Sequence, residues 1–331
     1  MLLITFHGGK PSKDIPDPVH NIYAYKDSGG DPVETNVLQG AGSDLKDAEL
    51  RGLAWACGHL YAANGSKHAN TILRFKGSGT KFDFTNVFAS REGSSSQSGI
   101  DSIFHPYALV FSNAQYCYVA SQDTDVVSRL VVSDSTGKTG SAAPIPSGLP
   151  SGGTFFSGTF VACSQKQLPG LTATTPVATP QGLAVDIENG KVQHSVRDVL
   201  LAGALLYVCD EAAGVVKVYD VNGNCNQVSN NVPSPAHLLL NNNQLYVSGG
   251  DTVMSATLSS SPIKFAPVAG VDGKDASGMA FNAKGDKFFV ADRKKNEVHS
   301  YDVSSTGTFS NKKKIIDNMP DNPEFIYYLA G

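Results

Sequence analysis

The stretch Leu205–Asp210 (LLYVCD) decides the fold, because the chain repeats its pattern several times. A short turn follows it, and a second strand-like stretch, Val215–Asp220, ends in Tyr-Asp. The same pair recurs as Lys287–Asp292 followed by residues 297–302, which also end in Tyr-Asp. Less regular copies occupy residues 60–75, 116–130 and 245–249. Strand repeats with a period of about 40 to 50 residues are typical of propeller blades, so the sequence predicts an all-β propeller.

The two ends of the chain complement each other. Residues 1–6 resemble the second strand of a blade and residues 21–25 its third, whereas residues 323–329 resemble an innermost strand. Pairing these segments closes the ring and removes the exposed sheet edges that a linear array would leave. We therefore expect the N-terminal and C-terminal strands to share one blade.

The repeat does not by itself determine the number of blades, because it is interrupted. Most copies are one blade apart, but a Ser/Gly/Pro-rich segment, residues 133–153, begins a gap of about two blades. Strand-like stretches at 154–161 and 180–186 follow, and then a hairpin signal at Asn189-Gly190. We predict seven blades, one of them irregular; six blades plus an insertion is the alternative. Either way, residues 1–331 form a single domain.

The charge of the chain limits the classes of partner that it can bind. The net charge of −4 and the pI near 6.0 argue against nucleic acid or an anionic membrane as a partner. The run Lys312-Lys313-Lys314 reads as a solvated edge strand, and no segment has the length and hydropathy of a transmembrane helix. We expect a monomer that binds a small molecule or an acidic sugar.

The five cysteines show no CxxC spacing. Cys117 and Cys209 lie within apolar strands, where a thiol behaves as a small hydrophobe, so both are predicted to be buried and unpaired. A chain that does not depend on disulfides favours a cytoplasmic location. The alternative is a secreted protein from which a signal peptide has been removed.

Polar residues at the starts of the innermost strands converge on the axis of a propeller, and those that differ between blades are the informative ones. A single His or Asp at such a position more often bonds the backbone of a neighbouring blade, and the repeated Asp210 and Asp292 are better explained as turn caps. A set of titratable groups in one place is nevertheless typical of a binding site. The candidates for catalysis are His105, Tyr107 and His237, and those for substrate binding are Arg51, Arg197, His194 and Glu324.

These residue types suit proton transfer beside an anion. Histidine titrates near neutral pH, tyrosine can assist it, and an arginine can grip a carboxylate with two hydrogen bonds. Such a set fits a lyase or a lactone hydrolase, and it would equally bind an acidic sugar without changing it. The sequence has no GxSxG, P-loop, GxGxxG or HExxH motif, and no ligand spacing that identifies a metal.

Three stretches, residues 180–185, Ala276–Phe281 and Lys287–Asp292, resemble the lactonase-type β-propellers. This superfamily includes 6-phosphogluconolactonase-like, gluconolactonase-like and NHL-type propellers. The gluconolactonase branch implies a divalent metal held by Glu, Asn and Asp, for which only Glu324 and Asp275 match loosely. Streptogramin lyase-type propellers, which use histidine with a divalent metal, are similar in architecture. No cofactor is therefore fixed, and a divalent metal is the one that the resemblance suggests.

Three classes of function follow from the sequence. The first is an enzyme acting on a small molecule or sugar acid at the mouth of the central channel, and it is the favoured one. The others are a lectin-like ligand-binding propeller and a protein-interaction scaffold. A lectin would repeat its binding residues in each blade, whereas the candidate residues here differ from blade to blade.

Overall fold

The computed structural model describes residues 1–91, 103–112, 116–124, 126–132, 140–142, 155–156, 159–161, 187–188, 191–192, 195–220 and 225–330. Within these residues the chain is almost entirely β-structure, with two short 3₁₀ helices at Gly42–Leu45 and Gln122–Thr124. Neither the length nor the hydropathy of any helix in these ranges would allow it to span a bilayer.

The strands follow one another in chain order. They are β1 (Leu2–Phe6), β2 (Tyr23–Tyr25), β3 (Leu38–Gln39), β4 (Leu50–Ala56), β5 (His59–Asn64), β6 (Thr71–Ser78), β7 (Lys81–Ser90), β8 (Pro106–Ser112), β9 (Tyr116–Ser121), β10 (Val126–Val132), β11 (Gly140–Ala142), β12 (Phe155–Phe156), β13 (Thr159–Val161), β14 (Ile187–Glu188), β15 (Lys191–Val192), β16 (Val196–Ala202), β17 (Leu205–Asp210), β18 (Val215–Asp220), β19 (Cys225–Val228), β20 (Pro235–Asn241), β21 (Gln244–Gly249), β22 (Thr252–Thr257), β23 (Ala266–Asp272), β24 (Ala276–Phe281), β25 (Lys287–Asp292), β26 (Glu297–Val303), β27 (Phe309–Ile316) and β28 (Pro323–Tyr328).

Apart from β14 and β15, which pair only with each other, these strands form six blades around a central axis, which confirms the propeller. From the axis outwards, the sheets are β28-β1-β2, β4-β5-β6-β7-β3, β8-β9-β10 with β11, β12 and β13, β16-β17-β18-β19, β20-β21-β22-β23, and β24-β25-β26-β27. Each innermost strand contacts the next in the ring, in the order β28, β4, β8, β16, β20, β24 and back to β28.

The blade count is the alternative one, and the expectation of seven is corrected. Because β8 contacts β16 directly, no further innermost strand from the described residues lies between them. β12 and β13 extend the third blade instead of starting a new one. The hairpin predicted at Asn189-Gly190 is present as β14 paired with β15, and the stretch 180–186 lies outside the described residues.

The predicted closure of the ring is confirmed. β1 pairs antiparallel with β28, so that Leu2 faces Tyr328 and Ile4 faces Ile326. The amino group of Met1 donates to the carbonyl of Leu329 at 3.0 Å, and the Leu329 N–H donates to the carbonyl of Met1 at 2.8 Å. The strands at the two ends of the sequence thus form one hairpin-like unit.

The blades pack through the apolar faces of their second and third strands. Cys117 and Cys209 are completely buried in this core as free thiols, as predicted. The repeated aspartates cap turns: Asp210 accepts the N–H of Ala213 at 2.9 Å, and Asp292 accepts the N–H of Lys295 at 3.2 Å. The repeat therefore encodes the blade rather than a ring of catalytic acids.

Candidate active site at the channel mouth

A β-bulge near the start of each innermost strand positions the candidate residues. At each bulge the pairing with the second strand skips at least one residue, which turns that side chain out of the sheet and towards the axis. We call the resulting set the bulge ring. Its members are Arg51, Tyr107, Arg197, Ala236, Ser277 and Glu324, one from each blade.

Glu324 is the centre of the bulge ring. Its side chain is only 1% exposed, and Oε1 lies 2.7 Å from Arg293 Nη2, 2.9 Å from His7 Nδ1 and 3.9 Å from Arg51 Nη1. Burial acts to raise the pKa of Glu324, but Arg51, the His7 hydrogen bond, Arg293 and Arg197 together hold it well below its usual range. Glu324 is therefore a permanent anion at neutral pH.

Tyr107 links Glu324 to Arg197. Its hydroxyl donates to Glu324 Oε2 at 2.7 Å and accepts from Arg197 Nη1 at 3.1 Å. Burial, and then the neighbouring Glu324 carboxylate, raise the pKa of Tyr107. The phenol therefore stays protonated near neutral pH, which suits a hydrogen-bond donor and not a base.

The arginines carry carboxylate partners on the solvent side. Arg197 Nε donates to Glu211 Oε2 at 2.6 Å, and Arg51 Nη2 donates to Glu49 Oε2 at 2.9 Å. Burial opposes a rise in the pKa of Arg197, but Tyr107, Glu211 and Glu324 raise it nevertheless. At the mouth, arginines and carboxylates are thus paired with one another, and Arg197 stays charged.

Of the seven predicted site residues, the structure brings four into direct contact: Arg51, Tyr107, Arg197 and Glu324. His105 lies at the edge of this group, with Nδ1 3.2 Å from Asp123 Oδ2 and Nε2 3.5 Å from Glu49 Oε2. His194 lies outside the described residues.

His237 lies one residue beyond the bulge ring, within the channel. Its Nδ1 accepts the backbone N–H of Met279 on the next innermost strand at 2.9 Å, and its ring lies 4.3 Å from that of Phe325. Asp198 has the same role in the preceding blade, since its Oδ2 accepts the N–H of Leu238. Both side chains satisfy a backbone group on the free edge of a neighbouring strand, where an unpaired N–H would be costly.

Burial makes His237 an acid-sensitive element of the fold. Burial lowers the pKa of His237 from 6.5 to about 3, so the unfolded chain binds the proton first and His237 destabilises the protein as the pH falls below 6.5. We expect His237→Asn, whose Oδ1 can still accept the Met279 N–H, to remove this effect. Between pH 7 and pH 5, the unfolding free energy of wild type should therefore fall by about 2 kcal/mol more than that of the variant. Urea denaturation at both pH values measures it, and an unchanged difference would contradict the burial of a neutral imidazole.

Two residues of the mouth escaped the sequence-based choice: His7 and Arg293. His7 follows β1 and Arg293 follows β25, so both lie on turns between second and third strands and not on innermost strands. The sequence signal for His7 is its place before Gly8-Gly9, a pair typical of a tight turn. In the structure both glycines have positive φ. Arg293 follows Asp292, which belongs to the blade repeat, whereas Arg293 itself does not and so carries no repeat signal.

The residues at the mouth do not fit a divalent metal. Glu324 faces the cations Arg51 and Arg293, and Asp275 lies 3.7 Å from Arg293 Nη1, so a metal ion would meet positive charge on the side of its ligands. Among the described residues, no group of three or more His, Cys, Asp or Glu side chains is arranged to hold a metal. The metal implied by the gluconolactonase resemblance therefore has no support in this donor set.

Known structures share this architecture. A candidate 6-phosphogluconolactonase from Bacteroides fragilis superposes with a TM-score of 0.57 at 12% identity, over 97% of this chain and 83% of that one. The periplasmic gluconolactonase of Pseudomonas aeruginosa gives 0.56 at 12% identity, over 99% and 98%. The fold that these structures share with this chain is the β-propeller. This likeness confirms the predicted resemblance at the level of the fold.

The same fold also occurs in a chain of a protein complex. A chain in the crystal structure of a nidogen/laminin complex superposes with a TM-score of 0.56 at 12% identity, over 98% of this chain and 96% of that one. Comparisons with protein-family profiles and with curated proteins find no match. Function must therefore be argued from the mouth and not from the fold.

Proposed function

We propose that the channel mouth hydrolyses a small acidic lactone, with His7 as the base that activates water. One observation carries this proposal: His7 Nδ1 lies 2.9 Å from Oε1 of Glu324, a carboxylate that is 1% exposed, while the His7 side chain is 41% exposed. A histidine fixed on one side by a buried anion and open to solvent on the other has the geometry of a general base.

The tautomer follows from the partner. Glu324 is ionised and can only accept, so Nδ1 of His7 donates to it and Nε2 keeps its lone pair for the proton of water. When that proton arrives, the imidazolium is stabilised by the same carboxylate, as in a catalytic triad. Tyr107 and Arg51 hold Glu324 in place and act as positioning residues.

Arg293 supplies the positive charge that the reaction needs. Its Nη2 donates to Glu324 Oε1 at 2.7 Å and lies 3.1 Å from His7 Nδ1; because Nδ1 carries the hydrogen that goes to Glu324, the second distance is a contact and not a hydrogen bond. A carbonyl attacked by water beside His7 would develop its negative charge near this guanidinium. The water oxygen bonds to the carbonyl carbon, the ring C–O bond breaks, and the proton on His7 passes to the departing alkoxide. The product is a hydroxy acid.

Arg197 and Arg293 also favour an anionic substrate. Both guanidiniums reach the rim of the mouth, where their side chains are 15% and 22% exposed. A guanidinium binds a carboxylate or a phosphate through two parallel hydrogen bonds. Hydrolysis is preferred over a lyase reaction because two structures with this fold carry lactonase names.

The test uses D-glucono-1,5-lactone and its 6-phosphate as probes. We expect His7→Gln to lower kcat by about a hundredfold or more, the usual scale for loss of a general base, with KM little changed. His20→Gln is the matched control: His20 lies on the same loop, but its Nδ1 bonds the carbonyl of Ala48 at 3.0 Å. Incorporation of ¹⁸O from labelled water into the acid identifies hydrolysis.

Three outcomes would contradict the proposal. The first is a wild-type rate no higher than that of the spontaneous reaction with either probe. The second is an equal loss in His7→Gln and His20→Gln, which would indicate a disturbed loop. The third is a His105→Gln variant that loses more activity than His7→Gln, which would move the base to the Asp123 side of the mouth.

A further inference from the structure

Beyond the bulge ring, the central channel widens into a cavity of about 300 Å³ lined by all six innermost strands. Its wall is mainly apolar and includes Leu53, Val110, Leu200, Leu239 and Phe281. Burial decreases towards the carboxyl ends of these strands, so the cavity opens on the face opposite the proposed active site.

Two polar side chains, Asp198 and His237, lie at the inner end of this cavity. Nδ1 of His237 already accepts the Met279 N–H, so the hydrogen of the neutral ring is on Nε2. Nε2 lies 3.6 Å from Asp198 Oδ2, which is beyond hydrogen-bond distance, and Asp198 is occupied by the N–H groups of Val199 and Leu238. His237 is 5% exposed, and within the described part of the chain no acceptor is recorded within hydrogen-bond distance of its Nε2–H, which lies at the wall of the apolar cavity.

The wall has no countercharge for an ion. Among the described residues that line the cavity, none is lysine or arginine, and Asp198 is the one carboxyl group. Burial keeps both His237 and Asp198 near their neutral forms, since it lowers the pKa of the histidine to about 3 and raises that of the aspartate to about 8. An anion or a cation would therefore lose its hydration without compensation.

We propose that this channel cavity is a second binding site, which takes a small, uncharged, largely apolar molecule whose carbonyl oxygen accepts a hydrogen bond from His237 Nε2. Apolar walls with few convergent polar groups are the usual composition of a small-molecule site. The volume suits a ligand of about ten non-hydrogen atoms. The site is independent of the proposed hydrolysis, because it uses the opposite end of the innermost strands and a ligand of opposite polarity.

Fluorine NMR tests the site with three probes of similar size. 4-Fluoroacetophenone carries the carbonyl, 1-ethyl-4-fluorobenzene lacks it, and 4-fluorobenzoate adds a charge. We expect the ketone to bind with a Kd on the order of 1 mM or lower, at least about fivefold tighter than the other two. Nuclear Overhauser contacts should join its methyl group to the His237 ring.

Leu239→Phe should weaken ketone binding about tenfold or more, because the larger side chain enters the cavity. Leu240→Phe is the matched control: it makes the same change at the next residue of β20, which does not line the cavity. Because the readout is binding, loss of hydrolytic activity in any variant would not affect this result.

Three results would overturn the proposal. One is the absence of saturable binding of the ketone to wild type, as expected for a channel that holds only water. Another is equal weakening by Leu239→Phe and Leu240→Phe. The third is tighter binding of the benzoate than of the ketone, which would place the probe at the arginines of the mouth.

Discussion

Deletion of residues 323–331 should abolish cooperative folding. These residues contain β28, which is the innermost strand of the first blade and contacts both β4 and β24. Ile326 is buried and Phe325 and Tyr327 are partly buried in two hydrophobic clusters, and full burial of such a side chain is worth about 1.5 to 3 kcal/mol. The sum is a large part of the stability of an ordinary domain, and the deletion also leaves the inner edge of β1 unpaired. Circular dichroism during heating should show no sigmoidal transition.

Two controls separate ring closure from the simple loss of residues. Deletion of Ala330 and Gly331, which follow β28, should leave the transition of the wild type unchanged. A circular permutant with residues 320–331 joined through a short glycine linker to Met1 should also fold, because Met1 and Leu329 are already hydrogen-bonded to each other. If the deletion variant melts within a degree or two of the wild type, closure by β28 contributes nothing to stability.

The blade repeat was predictable because its signals are local. The strand pairs ending in Tyr219-Asp220 and Tyr301-Asp302 each carry their own turn, which Asp210 caps in the first pair and Asp292 in the second. The closure followed from the same argument. The strands at the two ends of the sequence each lack a neighbouring partner, so pairing them with each other removes both free edges. The blade count failed where the repeat is interrupted, because the contact of β8 with β16 is not visible in the sequence.

The candidate site was only partly predictable, for a physical reason. Strand starts could be located from the repeat, so Arg51, Tyr107 and Glu324 were found even though the bulges that turn them to the axis leave no sequence signal. The role of His237 was not predictable, because it depends on an unpaired N–H in another blade. His7 was missed because its proposed role depends on a hydrogen bond to Glu324, which lies 317 residues away in the sequence.

Glu324→Leu should destabilise the protein by about 3 to 5 kcal/mol, the usual cost of leaving buried charges without their partner. The substitution leaves Arg51 beside Arg293 and removes the acceptor of the Tyr107 hydroxyl. Glu324→Gln retains the shape of the side chain and should cost less, since the amide oxygen can still accept one hydrogen bond. Urea denaturation at pH 7 measures both.

The pH dependence of this effect identifies the charge as its cause. The pKa of Glu324 in the folded protein lies well below its usual 4.5, so its stabilisation is fully present above that pH and is lost as the pH falls towards the folded value. The difference between wild type and Glu324→Gln should therefore shrink as the pH is lowered from 5 to 3. Asp302→Asn, which breaks the exposed pair with Lys287, should show no measurable change at pH 7. A Glu324→Leu variant as stable as Asp302→Asn would mean that the three arginines of the mouth do not depend on a central anion.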